Sequence, residues 1–459
     1  MTPEINKYDT QGLLIRGYGN LPAACYILLQ IQDAEKTKKW LREIESQITR
    51  GNTRDQVVGL NLAFTYGAFD KLRLPEKLLK PFSREFQEGM TVSSRARILG
   101  DVAENQAENW LWGGPETEPV DVLFMLFATS QENLERYAAN QRSLWKSGGL
   151  KQIRQLDSTI LATPAVKQEV RKEHFGFHDG ISQPTIKGLG RVDHTDNLVN
   201  PGEFILGYCN QYGKLPDSPQ IDSPLSKIDF GLNGTYLVFR QLEQNVVGFW
   251  RSIKENAQHL YGNSSIENCL LLAAKMVGRW PDGTPISQLP MPDNSPSDPA
   301  AIFRFEDIHG DRCPLGAHIR RANPRDALDD NPETSLEMTN HHRLLRRGRT
   351  YGPPAVESMN PVDILTQLDR IEEHARGLYF IALNASISRQ FEFIQHTWLN
   401  NTKFAGLYEE EDPISGNGIF TIQGEPFSRR TCPLPRFVTV RGGAYFFMPG
   451  LAAIRYLAT

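Results

Sequence analysis

The stretch Ala23-Ala24-Cys25-Tyr26-Ile27-Leu28-Leu29-Gln30-Ile31-Gln32-Asp33 decides the class of fold. From Ala23 to Ile31 it is apolar except at Gln30, which predicts a buried strand, and Asp33 is a residue type suited to cap a following helix. Trp40, Ile44 and Ile48 then recur at four-residue steps and make one apolar stripe, with Gly51 placed to end that helix. A strand that runs straight into an amphipathic helix is the opening of an α+β chain.

Reading outward, Leu60, Leu62 and Phe64 alternate with Asn61, Ala63 and Thr65, which predicts a half-buried strand. The run Val120 to Ala128 is another apolar strand. Thr129 with Glu132 forms a capping-box pattern for a helix reaching Trp145, and an alternating strand follows around Lys151 to Ile160. Strand–helix–strand twice over is the order of a ferredoxin-like unit. The second half repeats it with longer insertions. Tyr236 to Leu242 precedes a helix containing Phe249 and Trp250, and Leu378 to Leu383 precedes a helix around Phe391 to Trp398. Phe437 to Val440 and Ala444 to Met448 flank Gly442-Gly443, a pair that predicts a hairpin turn. The stretch Asp282 to Pro299 is rich in Pro, Ser and Asp and reads as a surface loop. A boundary near residue 165 would separate an N-terminal domain, 1–165, from a C-terminal one, 166–459.

Composition narrows the function. A chain of 459 residues exceeds one ordinary core, and 40% apolar with 23% charged residues describes a globular protein. A formal charge of -4 offers no global attraction to nucleic acid or to an acidic membrane. No window approaches the roughly 20 apolar residues that span a bilayer. Cys25, Cys209, Cys269, Cys313 and Cys432 are odd in number and lack CxxC spacing, and Met1 to Asn20 carries no signal-peptide core. The expected address is the cytoplasm, with neither nucleic acid nor membrane as partner.

Three stretches concentrate chemistry. In His174-Phe175-Gly176-Phe177-His178-Asp179-Gly180-Ile181-Ser182-Gln183-Pro184, two glycines and a proline permit tight turns that can aim one carboxylate into a cavity, and a surface turn in which Asp179 caps backbone N–H groups is the alternative. In Cys313-Pro314-Leu315-Gly316-Ala317-His318, the imidazole sits among small and apolar neighbours, as a metal ligand or as a hydrogen-bonded core histidine would. In Leu344-Leu345-Arg346-Arg347-Gly348-Arg349, a buried arginine could stabilise an anion, and a solvated basic face is the alternative. Eight arginines and no lysine fall between Arg312 and Arg349, a bias toward planar recognition of carboxylate or phosphate.

Together these motifs resemble the dye-decolorizing peroxidase family. Gly176-Phe177-His178-Asp179-Gly180 matches its GxxDG signature, His318 falls on its proximal haem ligand, and Arg346 on its distal arginine. Ala274 to Trp280, Gly377 to Phe380 and Phe391 to Gln395 extend the likeness across most of residues 170 to 450. The resemblance implies two ferredoxin-like domains in a dimeric α+β barrel-like arrangement, each an antiparallel sheet with surrounding helices. It also implies one haem b, held mainly by the second domain, with hydrogen peroxide as oxidant and bulky dyes or phenols as reductants. Asp179 would move the peroxide proton and Arg346 would stabilise the charge that builds as the O–O bond breaks, so a carboxylate base predicts an acidic optimum. Leu378 and Phe380 would form the apolar distal wall, Arg325 would meet a haem propionate, and Asp412 would accept from the second nitrogen of His318. Gly348 stands where some members carry asparagine, which points to the longer-chain branch. Two other readings compete. One is a non-haem metal enzyme using His174, His178 and Asp179, or Cys313, His318, His341 and His342. The other is a haem carrier or iron-release protein without turnover.

Overall fold

The computed structural model describes residues 4–159, 161–163, 170–189, 195–222, 227–287 and 303–459. The first half contributes β1 (Ala23–Ile31), α1 (Ala34–Ile44), β2 (Val58–Phe64), β3 (Val122–Ala128), α2 (Gln131–Ser147) and β4 (Leu150–Asp157). The second contributes β5 (Thr235–Gln244), α3 (Val246–Tyr261), α4 (Ile266–Val277), α5 (His318–Ala322), β6 (Leu345–Arg346), β7 (Arg349–Tyr351), β8 (Gly377–Asn384) and β9 (Val438–Met448). These strands form one antiparallel sheet in the order β6-β8-β5-β9-β2-β3-β1-β4, with β7 also paired to β8. Within each half the spatial order of the four strand positions is the same, second-third-first-fourth. The class is α+β, built from two ferredoxin-like sheets.

A single register pair, Phe447 with Phe64, joins the halves along the sheet. The far ends also approach each other, since Thr159 N donates to Thr350 O at 2.8 Å. The sheet therefore curls into a barrel-like form. Its inner face carries Tyr26, Leu28, Phe127, Phe239, Tyr379 and Phe446 as one buried cluster. The outer face of the first half packs Ile27, Leu62 and Phe124 against Trp40 and Ile44 of α1 and Trp145 of α2.

Several local expectations change. Asp33 does cap α1, accepting from Lys36 N, but the helix ends at Ile44 in a 3-10 turn, so Gly51 is not its terminus. Ser130 caps α2 rather than Thr129, whose hydroxyl instead accepts from the Asn133 side chain. Strand β2 is buried on both faces, because Asn61 lies inside the curled sheet, where the Tyr18 hydroxyl donates to it. Gly442 and Gly443 make no hairpin. They lie inside the continuous strand β9, where Trp112 comes so close that a Cβ on Gly442 would stand 2.4 Å from its Nε1. Backbone proximity, and not a turn, required the glycines.

Residues 288–299 of the Pro/Ser/Asp-rich stretch, Ile160 at the end of the expected fourth strand, and the expected domain boundary at 165 lie outside the described residues. Among the described residues no helix is long and apolar enough to cross a membrane.

Candidate functional site

A cavity of about 1090 Å³ opens on the outer face of the second half's sheet. Leu242 of β5, Leu378 and Phe380 of β8, and Val438 and Val440 of β9 floor it. These positions alternate with the inward-facing ones, which is how a strand gives one face to the barrel interior and the other to a site. Val277 at the end of α4, Ile319 of α5 and Ile394 continue the apolar lining. Ile394 comes from a wide-turned π-helical segment, Ser388–Glu392 and Ile394–Leu399, where a plain helix was expected.

His318 is the first residue of α5 and lines this cavity. Two buried arginines hold the short helix in place. Arg320 donates to the carbonyls of Cys313, Asp307 and Ile308, and Arg321 to those of Trp398, Asn401 and Glu410. Nδ1 of His318 lies 2.9 Å from Oδ2 of Asp412, which leaves Nε2 as the nitrogen free for the cavity. Asp412 is only 1% exposed, and its other oxygen accepts from Ile414 N and Ser415 N. Burial raises its carboxyl, but the facing imidazole and these N–H donors outweigh burial and hold it below the usual carboxylate range. Burial works against charge on His318 too, yet Asp412 holds the ring above its usual value. Asp412 itself stands behind the histidine and does not line the cavity.

Asp179 and Arg346 reach the same cavity from other elements. Asp179 closes a narrow hairpin, its N–H donating to Arg171 O. Arg346, on β6, has a guanidinium nitrogen 3.8 Å from Oδ1 of Asp179. Its backbone N–H donates to Gln183 Oε1 and its guanidinium to Ser182 O. Gly348 follows with its Cα against β8, so that a Cβ there would stand 2.6 Å from Tyr379 O. No side chain fits at that position without displacing the strand.

Arg325 also lines the cavity, at a positive φ of 55°. It donates to Phe303 O and Ser182 Oγ, stacks 4.3 Å over the Phe303 ring, and leaves its Nε without a partner. Arg343, buried beside it, bonds among the described residues to the amide oxygens of Asn340 and Asn197. Burial first pushes both guanidiniums down; repulsion from Arg343 and Arg279 adds to it at Arg325, and repulsion from Arg346 adds to it at Arg343, which falls to about 10. Among the described residues, the hydrogen bonds of these two buried cations go to neutral oxygens, an arrangement whose charge an anionic ligand would complement.

Not all of the arginine bias serves ligand recognition. Arg320 and Arg321 brace α5, and Arg347 and Arg349 bond to backbone carbonyls of the 13–21 segment. Sequence reasoning missed Arg343, Gln183 and Glu173, which share this cavity wall; the charge bias flagged the first only as one of eight arginines.

The non-haem reading is not supported. His174 is buried with Nε2 against Tyr351 O, and Nδ1 of His178 bonds to Asp282 O. His341 stacks on Tyr212, and His342 on Phe393. Among the described residues, no group of three His, Cys, Asp or Glu side chains is arranged to hold a metal ion.

No family model matches the chain. A curated dye-decolorizing peroxidase of Mycetinis scorodonius is 28% identical, the alignment covering 98% of this chain and 87% of the relative. A second, from Exidia glandulosa, is 27% identical over 98% and 86%. The crystal structure of a decolorizing peroxidase from Auricularia auricula-judae superposes with a TM-score of 0.79 at 25% identity, covering 99% of this chain and all of that one, 100%.

Proposed function

Because this chain belongs to the dye-decolorizing peroxidase family, we propose that His318 holds the iron of one haem b per chain while Asp179 and Arg346 act together on hydrogen peroxide. The chain is an oxidoreductase, a haem-dependent peroxidase that oxidises dyes. Phenols are proposed as further electron donors. One observation carries the residue assignment. An imidazole committed through Nδ1 to a buried carboxylate shares an apolar cavity with an adjacent Asp–Arg pair.

The residues fit haem on three separate grounds. Nε2 of His318 is left for iron by the bond that Asp412 makes to the other nitrogen. Arg325 and Arg343 are buried with no carboxylate among the described residues in their hydrogen bonds, which suits two propionates. Leu378, Phe380 and Ile394 supply the apolar contact that a porphyrin face requires.

When bound, haem would supply the redox chemistry by which two oxidising equivalents pass from peroxide to the reducing substrate. The chain's own part is proton handling and charge. Asp179 accepts the proton from one peroxide oxygen and delivers it to the other, so that the departing oxygen leaves as water. Arg346 donates toward that departing oxygen and stabilises its negative charge as the O–O bond breaks. Gly348 supports placement in the longer-chain branch, since the distal wall has no room for a third polar side chain there. Five free, dispersed cysteines support a reduced cytoplasmic address.

Separate Asp179→Asn and Arg346→Leu variants, reconstituted with haem and mixed with peroxide in a stopped-flow instrument, test the roles. Loss of Asp179 is expected to slow the peroxide step by about 10²–10⁴-fold. An Asp179→Asn protein that keeps most of its peroxide reactivity overturns the assignment.

A further inference from the structure

The hairpin that carries Asp179 has little regular structure of its own. Glu173 N donates to Phe177 O, Gly176 N to Glu173 O and Asp179 N to Arg171 O, which closes a turn of only a few residues. Across the base of that turn lies the Glu173 side chain. Its Oε1 accepts from Phe177 N at 2.8 Å, and its Oε2 from Phe175 N at 2.8 Å. Gln244 Nε2, at the end of β5, donates to the same Oε2 at 2.7 Å. One carboxyl group therefore ties two backbone amides of the hairpin to the rigid sheet. Trp250 Nε1 donates to Phe175 O and secures the tip to α3. Gly176, at φ +95°, lets the chain pass Pro361, which a Cβ would meet at 2.9 Å. Glu173 lines the same cavity as Asp179 and His318.

A half-buried carboxyl group in a cavity wall has to offset its partial desolvation. Here no cation stands among its hydrogen-bond partners, and what it gains is three N–H donors that all belong to the frame of the Asp179 hairpin. We infer that Glu173 is a positioning residue for the peroxide step, fixing the height and aim of Asp179 over the cavity by clamping its hairpin to β5. The inference rests on Asp179 as the proton-moving group proposed above. Misplacing a catalytic group by about 1 Å can cost about 100-fold in rate, so a clamp of this kind has large kinetic leverage and modest structural visibility.

Glu173→Gln keeps the shape but turns one acceptor into a donor, so one of the three N–H groups must face another donor and the hairpin must shift. The test is a double-variant cycle on the haem-loaded full chain, comparing wild type, Glu173→Gln, Asp179→Asn and the double variant by single-turnover peroxide kinetics. Glu173→Gln is expected to slow the step about 10–100-fold in the wild-type background, and by less than twofold once Asp179 is already Asn. Amide exchange at Phe175 and Phe177, a readout independent of activity, is expected to speed up in Glu173→Gln.

If Glu173→Gln loses the same factor in both backgrounds, or none in the first, the inference falls while the role of Asp179 stands. If Asp179→Asn itself keeps the wild-type rate, the proposed function fails first. Should Glu173→Gln not fold, Gln244→Met removes only one of the three donors. It is then expected to slow the step about 3–10-fold, again only when Asp179 is present, and an equal loss in both backgrounds overturns the inference.

Discussion

Replacing Asp412 with Asn should change which nitrogen of His318 carries the proton. Oδ1 of Asp412 accepts Ser415 N at 2.8 Å, Ile414 N at 3.0 Å and the Ser415 hydroxyl, so in the variant the amide oxygen stays on that side. The amide nitrogen then takes the place of Oδ2, 2.9 Å from Nδ1 of His318. Two N–H groups cannot face each other at that distance. The imidazole answers by moving its proton from Nδ1 to Nε2, the nitrogen turned to the cavity, and a protonated Nε2 cannot ligate iron. A charge-assisted hydrogen bond is worth about 1.5–3 kcal/mol, and loss of a carboxylate behind a metal-bound histidine costs about 10–100-fold in affinity, two routes to the same size of effect. Titrating the haem-free variant with haem and following the absorption spectrum should show affinity reduced within that range. The reduction potential should rise, because a neutral amide leaves the imidazole less basic. An Asp412→Asn protein that binds haem within twofold of wild type, with an unchanged spectrum and potential, refutes the reasoning.

Two further outcomes follow from buried charge. Arg325→Met removes a buried guanidinium bonded, among the described residues, to Phe303 O and Ser182 Oγ while keeping a side chain to stack on Phe303. The haem-free variant should melt no lower than wild type, since a desolvation cost of several kcal/mol is relieved, whereas haem affinity should fall about tenfold; equal melting losses with and without haem would count against a propionate site. Stability should also fall in acid. Burial holds the imidazoles of His174 and His342 down to about 4 each, so unfolding exposes groups that take up protons near 6.5. Their contribution is complete above pH 6.5 and is lost as pH drops toward 4, up to about 3 kcal/mol apiece. Glu173, pushed up to about 7 chiefly by burial, acts in the opposite sense, giving stability that is lost as pH rises from 4.5 through 7. His342→Gln should therefore flatten the acid limb of the urea-unfolding profile of the haem-free chain between pH 6.5 and 4 relative to wild type, and an unchanged slope over that window would contradict it.

What could be read from the sequence, and what could not, divides along the range of the interactions. The strands at Ala23, Val120, Tyr236 and Leu378 announce themselves because burial on a sheet writes a pattern into neighbouring residues. A glycine-flanked carboxylate such as Asp179 is conspicuous too, but only family likeness sets it apart from a surface turn. Asp412 could be named only through family likeness. It sits 94 residues from His318, in a run of acids that reads as a solvated loop, and only the fold makes it 1% exposed. The Gly442-Gly443 pair misled for a related reason. Glycine signals that a backbone needs freedom or room, and the local sequence does not say whether a turn or an approaching Trp112 is the cause. Arginine was ambiguous in the same way. Arg320 and Arg321 are spent on carbonyls that hold His318 in place, while Arg325 and Arg343, of the same residue type within the same stretch, face the cavity. Residue type establishes that planar, permanently charged donors are needed here. Which of them brace the protein and which await an anion depends on whether carbonyls or cavity lie within reach, and that is a property of the folded chain alone.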